Sequence, residues 1–176
     1  MKAQGFVKLL HVADANKESV LEMNILADEK TPWHYHTLFA ETFEIVHGTL
    51  EVGKGSTMLS LAQGDSATIQ PNENHYYHNT THEACIVRVT IDHANKNFEN
   101  ALLILKGLAN DSLASAAGTP KRFFDLVLFV YLSNSKMVGV QKLAEPLFHY
   151  FARVAIKRGR LDELLEKYCN AGDRVF

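Results

Sequence analysis

Hydrophobic and polar residues follow two different rhythms along this chain, and the change falls near Asp92. Before it, short runs rich in β-branched and aromatic residues are separated by turn formers. The runs at 6–12, 20–27, 41–47, 49–52, 57–61, 66–69, 75–80 and 84–91 read as strands. Gly48, the Gly53-Lys54-Gly55-Ser56 cluster, Gly64-Asp65 and Pro71-Asn72 punctuate them. Many short strands at this spacing predict an antiparallel sandwich or barrel.

After Asp92 apolar residues recur every three to four positions. Ala101, Leu102, Leu105 and Leu108 make one stripe over 98–109. Thr119-Pro120 is predicted to cap and open a helix over 121–132. That helix is apolar nearly all round, so it should be covered by the barrel, by other helices or by a second subunit. Leu143, Leu147, Phe151 and Val154 form a stripe over 140–157, where Pro146 either kinks the helix or starts a new one. A short helix over 161–168 follows. The expected organisation is mainly β: an antiparallel barrel over 1–92, then a helical extension over 93–176 packed on the barrel or on a partner subunit.

Strand parity turns this pattern into chemistry. Successive side chains alternate faces, so His34 and His36 share a face if 33–37 is extended. Glu41, Phe43 and Ile45 share a face that looks like core, while Glu44 points elsewhere. His75, Tyr77 and Asn79 are likewise separated from Tyr76 and His78. Three histidines and one glutamate can therefore face one interior, a nitrogen and oxygen donor set that suits Fe, Mn, Co, Ni, Cu or Zn better than Ca or Mg. His34-x-His36 alone is equally well explained as a solvated pair. Phe43 and Tyr77 are candidate pocket walls on the ligand face, Phe43 serving equally as plain core. Asn79 shares that face and is a candidate pocket residue, expected to orient backbone or a neighbouring group.

The segment His34-Tyr35-His36-x4-Glu41-x6-Gly48 resembles the first motif of the cupin superfamily, with Asp28 where that motif begins on glycine. Gly64-x5-Gln70-Pro71-Asn72-Glu73-Asn74-His75-x3-Asn79 resembles the second, with the proline one place late and Asn72 in a glycine position. Asn tolerates left-handed backbone, so that turn can survive. The resemblance is to small single-domain bacterial cupins. It implies a jelly-roll β-barrel and a divalent metal on His34, His36, Glu41 and His75. The helical extension is not part of the cupin core.

Composition narrows the remaining choices. The chain has 176 residues and a net charge of −2, enough for a core without staples and without a basic stripe for nucleic acid. Cys85 and Cys169 have no metal-type spacing and fit a reducing cytoplasm. The first twenty residues lack an apolar stretch of signal-peptide type, and 123–132 is too short to span a bilayer. No helix-turn-helix is evident. The expected partners are a small organic ligand or substrate and a second copy of the chain, with neither nucleic acid nor membrane. The expected function is a metal-dependent enzyme of dioxygenase or isomerase type. The alternatives are a ligand-binding or sensor module without chemistry and a structural dimerisation barrel.

Overall fold

The computed structural model describes residues 7–11, 18–115 and 118–169. The outer ends of both expected domains, and residues 6 and 12 of the first expected strand, lie outside the described residues.

Among the described residues, nine strands precede the first helix: β1 Val7–His11, β2 Ser19–Ile25, β3 His34–Tyr35, β4 Glu41–His47, β5 Thr49–Lys54, β6 Thr57–Ala62, β7 Ser66–Ile69, β8 His75–His78 and β9 Cys85–Ile91. A tenth, β10 Lys136–Met137, comes from the extension. They form two five-stranded antiparallel sheets, ordered β1-β2-β9-β4-β7 and β10-β3-β8-β5-β6. This is an antiparallel jelly-roll barrel followed by a helical segment. Alternation decides what fills it. On β4, Glu41, Phe43 and Ile45 are buried while Thr42, Glu44 and Val46 are only partly so. On β9, Cys85, Val87, Val89 and Ile91 are buried in the same alternating way. The barrel core adds Leu21, Met23, Ile25, Leu50 and Val52.

Two polar residues of the motif turns take the conformation usually reserved for glycine, as Ser112 and Asn134 do elsewhere. Asp28 has φ of 60° and Asn72 has φ of 67°, beside Gly48 and Gly64 at 89° each. Asn and Asp are the side chains that tolerate this region best. The four glycine-type positions of the two motifs therefore all carry left-handed backbone.

Helix α1, Lys96–Asn110, joins the barrel to the rest. Asn95 caps it through hydrogen bonds from the N–H groups of Asn97 and Phe98. Phe98 and Leu102 enter the barrel core, whereas Ala101, Ile104 and Leu108 pack with Leu128, Leu132, Ala155 and Leu164 in a second, helical core. Lys106 crosses between them. Its ammonium donates to both Glu29 oxygens at 2.9 and 3.0 Å and to the Asn24 carbonyl at 2.8 Å, all in the interior.

Helix α2 runs from Phe123 to Leu132, later than the sequence predicts. Thr119-Pro120 does not cap it: Pro120 makes a β-bridge with Ala114, and the residue before the helix, Arg122, makes no side-chain cap. The one acid in this apolar helix, Asp125, is buried and accepts two hydrogen bonds from Arg160 at 2.8 and 3.0 Å. A 3-10 helix at Gly139–Ala144 leads into α3, Glu145–Lys157, so Pro146 opens a new helix rather than kinking a long one. Helix α4, Arg160–Tyr168, closes the described chain. Most of α2 is covered within the chain, and the most exposed large apolar residues of the extension are Val140 and Leu143.

Candidate metal centre

The histidine strand β3 is two residues long and is held from both sides. His34 pairs with His75 of β8 and with Met137 of β10. His36 follows just after the strand, and its ring lies on Phe39 with centroids 4.8 Å apart. Phe98 of α1 meets the same ring edge-on at 5.7 Å. Glu41 opens β4 and His75 opens β8, both buried.

His34, His36 and His75 each offer a ring nitrogen, and these atoms all lie within 4.8 Å of one another. Glu41 joins them: its Oε2 is 3.1 Å from His75 Nε2 and 3.6 Å from His36 Nε2. Glu44, by contrast, faces Arg88 on the other side of the strand at 3.1 Å. His78 is separated from the cluster and lies 4.0 Å from Glu51.

The hydrogen bonds fix which nitrogens are free. His34 Nδ1 lies 2.9 Å from the Pro32 carbonyl, and His75 Nδ1 lies 3.2 Å from the Glu73 carbonyl. A carbonyl only accepts, so Nδ1 carries the proton on both rings and a neutral ring presents its Nε2 lone pair inward. On His75 the Nε2 atom faces a carboxylate oxygen of Glu41 at 3.1 Å. A ring nitrogen and a carboxylate oxygen this close need either a proton on the nitrogen or a cation between them. His36 Nδ1 is buried with no hydrogen-bond partner. The donor set therefore fits a divalent transition ion.

Electrostatics agree with that fit. Burial, helped by the neighbouring His75 and His36, pushes His34 down to about 3, which keeps its imidazole neutral. Burial alone would raise Glu41. The hydrogen bonds and charges of His36 and His75 outweigh it and hold the carboxyl well below the usual carboxylate range.

Above the cluster lies a cavity of about 280 Å³. Trp33, His34, His36, Glu41, Phe43 and Tyr77 contribute its barrel side. Phe43 and Tyr77, the expected walls, are both among its lining residues. Asn79 is not among the lining residues: its amide nitrogen donates to the Ile25 and Glu83 carbonyls and its oxygen accepts from Thr81. It fixes a loop, as its capacity to satisfy backbone allows. Tyr77 donates its phenol hydrogen bond to Glu29 at 3.3 Å, and burial, with the charges of Glu29 and Glu41, raises it well above the ordinary phenol value.

The sequence did not point to the far wall of the cavity. Leu102, Leu105, Leu126, Phe129, Val130 and Phe148 come from three helices of the extension. Their helical stripes signal burial, but nothing in a stripe tells a core from a cavity.

Residues 21–92 match the family model described as cupin domain. Residues 21–92 are a cupin domain. Solved structures similar to the chain include TT1209 from Thermus thermophilus, at 14% identity and a TM-score of 0.46, covering 51% of this chain and 84% of that one. A conserved protein with a double-stranded β-helix domain from Klebsiella pneumoniae is 19% identical, with a TM-score of 0.46 and coverage of 54% and 82%. A cupin-2 domain containing protein from Shewanella frigidimarina is 17% identical, with a TM-score of 0.42 and coverage of 53% and 85%. No curated protein matches the chain by sequence. Among the described residues, no helix is long and apolar enough to cross a membrane.

Proposed function

We propose that the cupin domain holds a divalent transition metal on His34, His36, Glu41 and His75 and uses it on a small organic molecule in the adjoining cavity. The observation that carries this reading is the convergence of three histidine rings, two of them buried, with Glu41 Oε2 3.1 Å from His75 Nε2. Fe, Mn, Co, Ni, Cu and Zn all suit these donors. When bound, such an ion supplies Lewis-acid polarisation, water activation or O₂ activation. Three neutral imidazoles and one carboxylate leave it a net charge of about +1, which favours a ligand that coordinates through an anionic oxygen or sulfur. The chain's own residues orient and exclude water: Pro32 and Glu73 carbonyls hold two imidazoles by Nδ1–H, and Phe43 and Phe98 close the cavity around the donors.

A dioxygenase or isomerase type of reaction is the first reading. Binding without turnover is the second, favoured by one observation. Among the described lining residues Glu41 is the only carboxylate, and it belongs to the donor set. The Tyr77 hydroxyl already donates its hydrogen bond to Glu29.

Elemental analysis of purified protein, repeated after chelation and reloading, tests the reading. About one equivalent of transition metal is expected, lost in His75→Ala. Wild-type protein that takes up no metal from any of the six ions overturns it. Self-association is part of the same proposal, supported by Val140 and Leu143, each 86% exposed. Sedimentation should show a dimer at micromolar concentration.

A further inference from the structure

We infer that the helical extension is the specificity wall of this site, and that it selects a ligand with one coordinating acid group and a bulky apolar body. This rests on the metal reading above, and the test below separates the two.

The cavity has the metal donors at one side and a mostly apolar helical wall, with Lys30, Ser133, Lys136 and Gln141 among its polar lining residues. His34, His36 and Glu41 sit at the barrel end, and residues after 92 supply more than half of the described lining. The placement follows from the helices themselves. On α2, Leu126, Phe129 and Val130 occupy one face at i, i+3 and i+4 and line the cavity, while Val127 and Leu128 turn into the interior. On α1, Leu102 and Leu105 face the same space three residues apart. Phe148 of α3 adds an aromatic ring. None of these positions belongs to the matched segment, which ends at 92.

A small hydrophilic acid would satisfy the donor end and leave the helical wall facing water. A larger apolar body displaces that water and gains the hydrophobic term in proportion to area. The cavity of about 280 Å³ has room for a substituted ring. The wall is also fixed relative to the donors. β10 pairs Met137 with His34, and Asn134 ties the preceding turn to Thr37.

The test titrates full-length protein with trans-cinnamate and with acetate, which share a carboxylate and differ in apolar body. Calorimetry is run on zinc-loaded and on zinc-free protein, with zinc uptake measured first. The expected result is cinnamate binding at least tenfold tighter than acetate to the zinc form, with a negative heat-capacity change. Val130→Asp, which sets a like charge in the wall, should weaken cinnamate at least tenfold with zinc content unchanged. The near-isosteric Val130→Thr should weaken it by a smaller factor, and keeps the test available if the aspartate variant fails to fold. Zinc uptake with equal affinity for cinnamate and acetate overturns the wall and leaves the metal reading standing. If zinc does not bind, uptake of the other five ions decides the metal reading and the zinc-free titration decides the wall: discrimination for cinnamate supports it, equal affinity overturns it.

Discussion

Asn134 Oδ1 accepts two hydrogen bonds from Thr37, one from the backbone N–H at 2.8 Å and one from the hydroxyl at 2.9 Å. One acceptor in the extension thereby fixes the residue that follows His36. Asn134 also has φ of 54°, a backbone region that Asn tolerates and Ala resists. Asn134→Gly should cost about 1–3 kcal/mol, from the two lost bonds. Asn134→Ala should cost about 1–2 kcal/mol more for the backbone. Asn134→Asp keeps the acceptor and should recover most of the loss. Urea unfolding followed by circular dichroism reads the series, and equal midpoints for wild type and the Gly variant would refute the tie.

Glu41 and Glu44 stand three residues apart on one strand and make opposite predictions. Glu41→Gln should weaken metal binding at least tenfold, because a buried carboxylate leaves the donor set. Glu44→Gln should leave metal affinity unchanged and cost under about 1 kcal/mol, since its bond to Arg88 is half-exposed. Competition against a chromophoric chelator distinguishes the two. Similar losses in both would mean that parity had misplaced the ligand.

The Lys106–Glu29 pair sits in the interior with each side chain 5% exposed. Removing the cation alone strands a carboxylate that also accepts from Tyr77 and from the Leu26 N–H. Lys106→Met should therefore cost about 3–5 kcal/mol. Adding Glu29→Gln to it should restore a large part, because the stranded charge is gone. A double-mutant cycle by chemical denaturation measures the coupling, and simple additivity would count against it.

Burial pushes the Cys85 thiol up to about 11, from 9.0 in an unfolded chain. The folded state thus keeps its proton where the unfolded state has released it. Stability from this group is complete below pH 9 and falls as the pH rises towards 11. At pH 8 the thiolate is scarce by about a hundredfold relative to the unfolded chain. In a Cys169→Ser background, iodoacetamide should label Cys85 about that much more slowly in buffer than in urea. Equal rates would show the thiol to be open to solvent.

How much of this was legible without coordinates depended on whether the signal was local. Periodicity located β4 and β7 to the residue, since Glu41–His47 and Ser66–Ile69 are both alternating runs bounded by turn formers. The same parity separated Glu41 from Glu44 and His75 from His78, because a strand leaves a side chain only two directions. Asn72 could be assigned its left-handed turn from residue type alone. What was hidden depends on partners distant in sequence. Thr119-Pro120 has the composition of a helix start, yet Ala114 claims the proline for a bridge. Lys106 reads as the polar face of a helix until Glu29 is found beneath it. Arg160 reaches 35 residues back to Asp125. β10 is two residues long and carries no periodicity at all.

That short strand has a practical consequence. β10 occupies the free edge of β3, so the backbone groups of the histidine strand are paired on both sides. Trimming the chain at residue 92 would strip this edge and open the apolar mouth beside it. Unpaired edges of that kind recruit strands from other molecules. The trimmed barrel should therefore precipitate or form mixed oligomers where the longer chain stays dispersed. For anyone dissecting the protein, the safe place to cut lies beyond the helices.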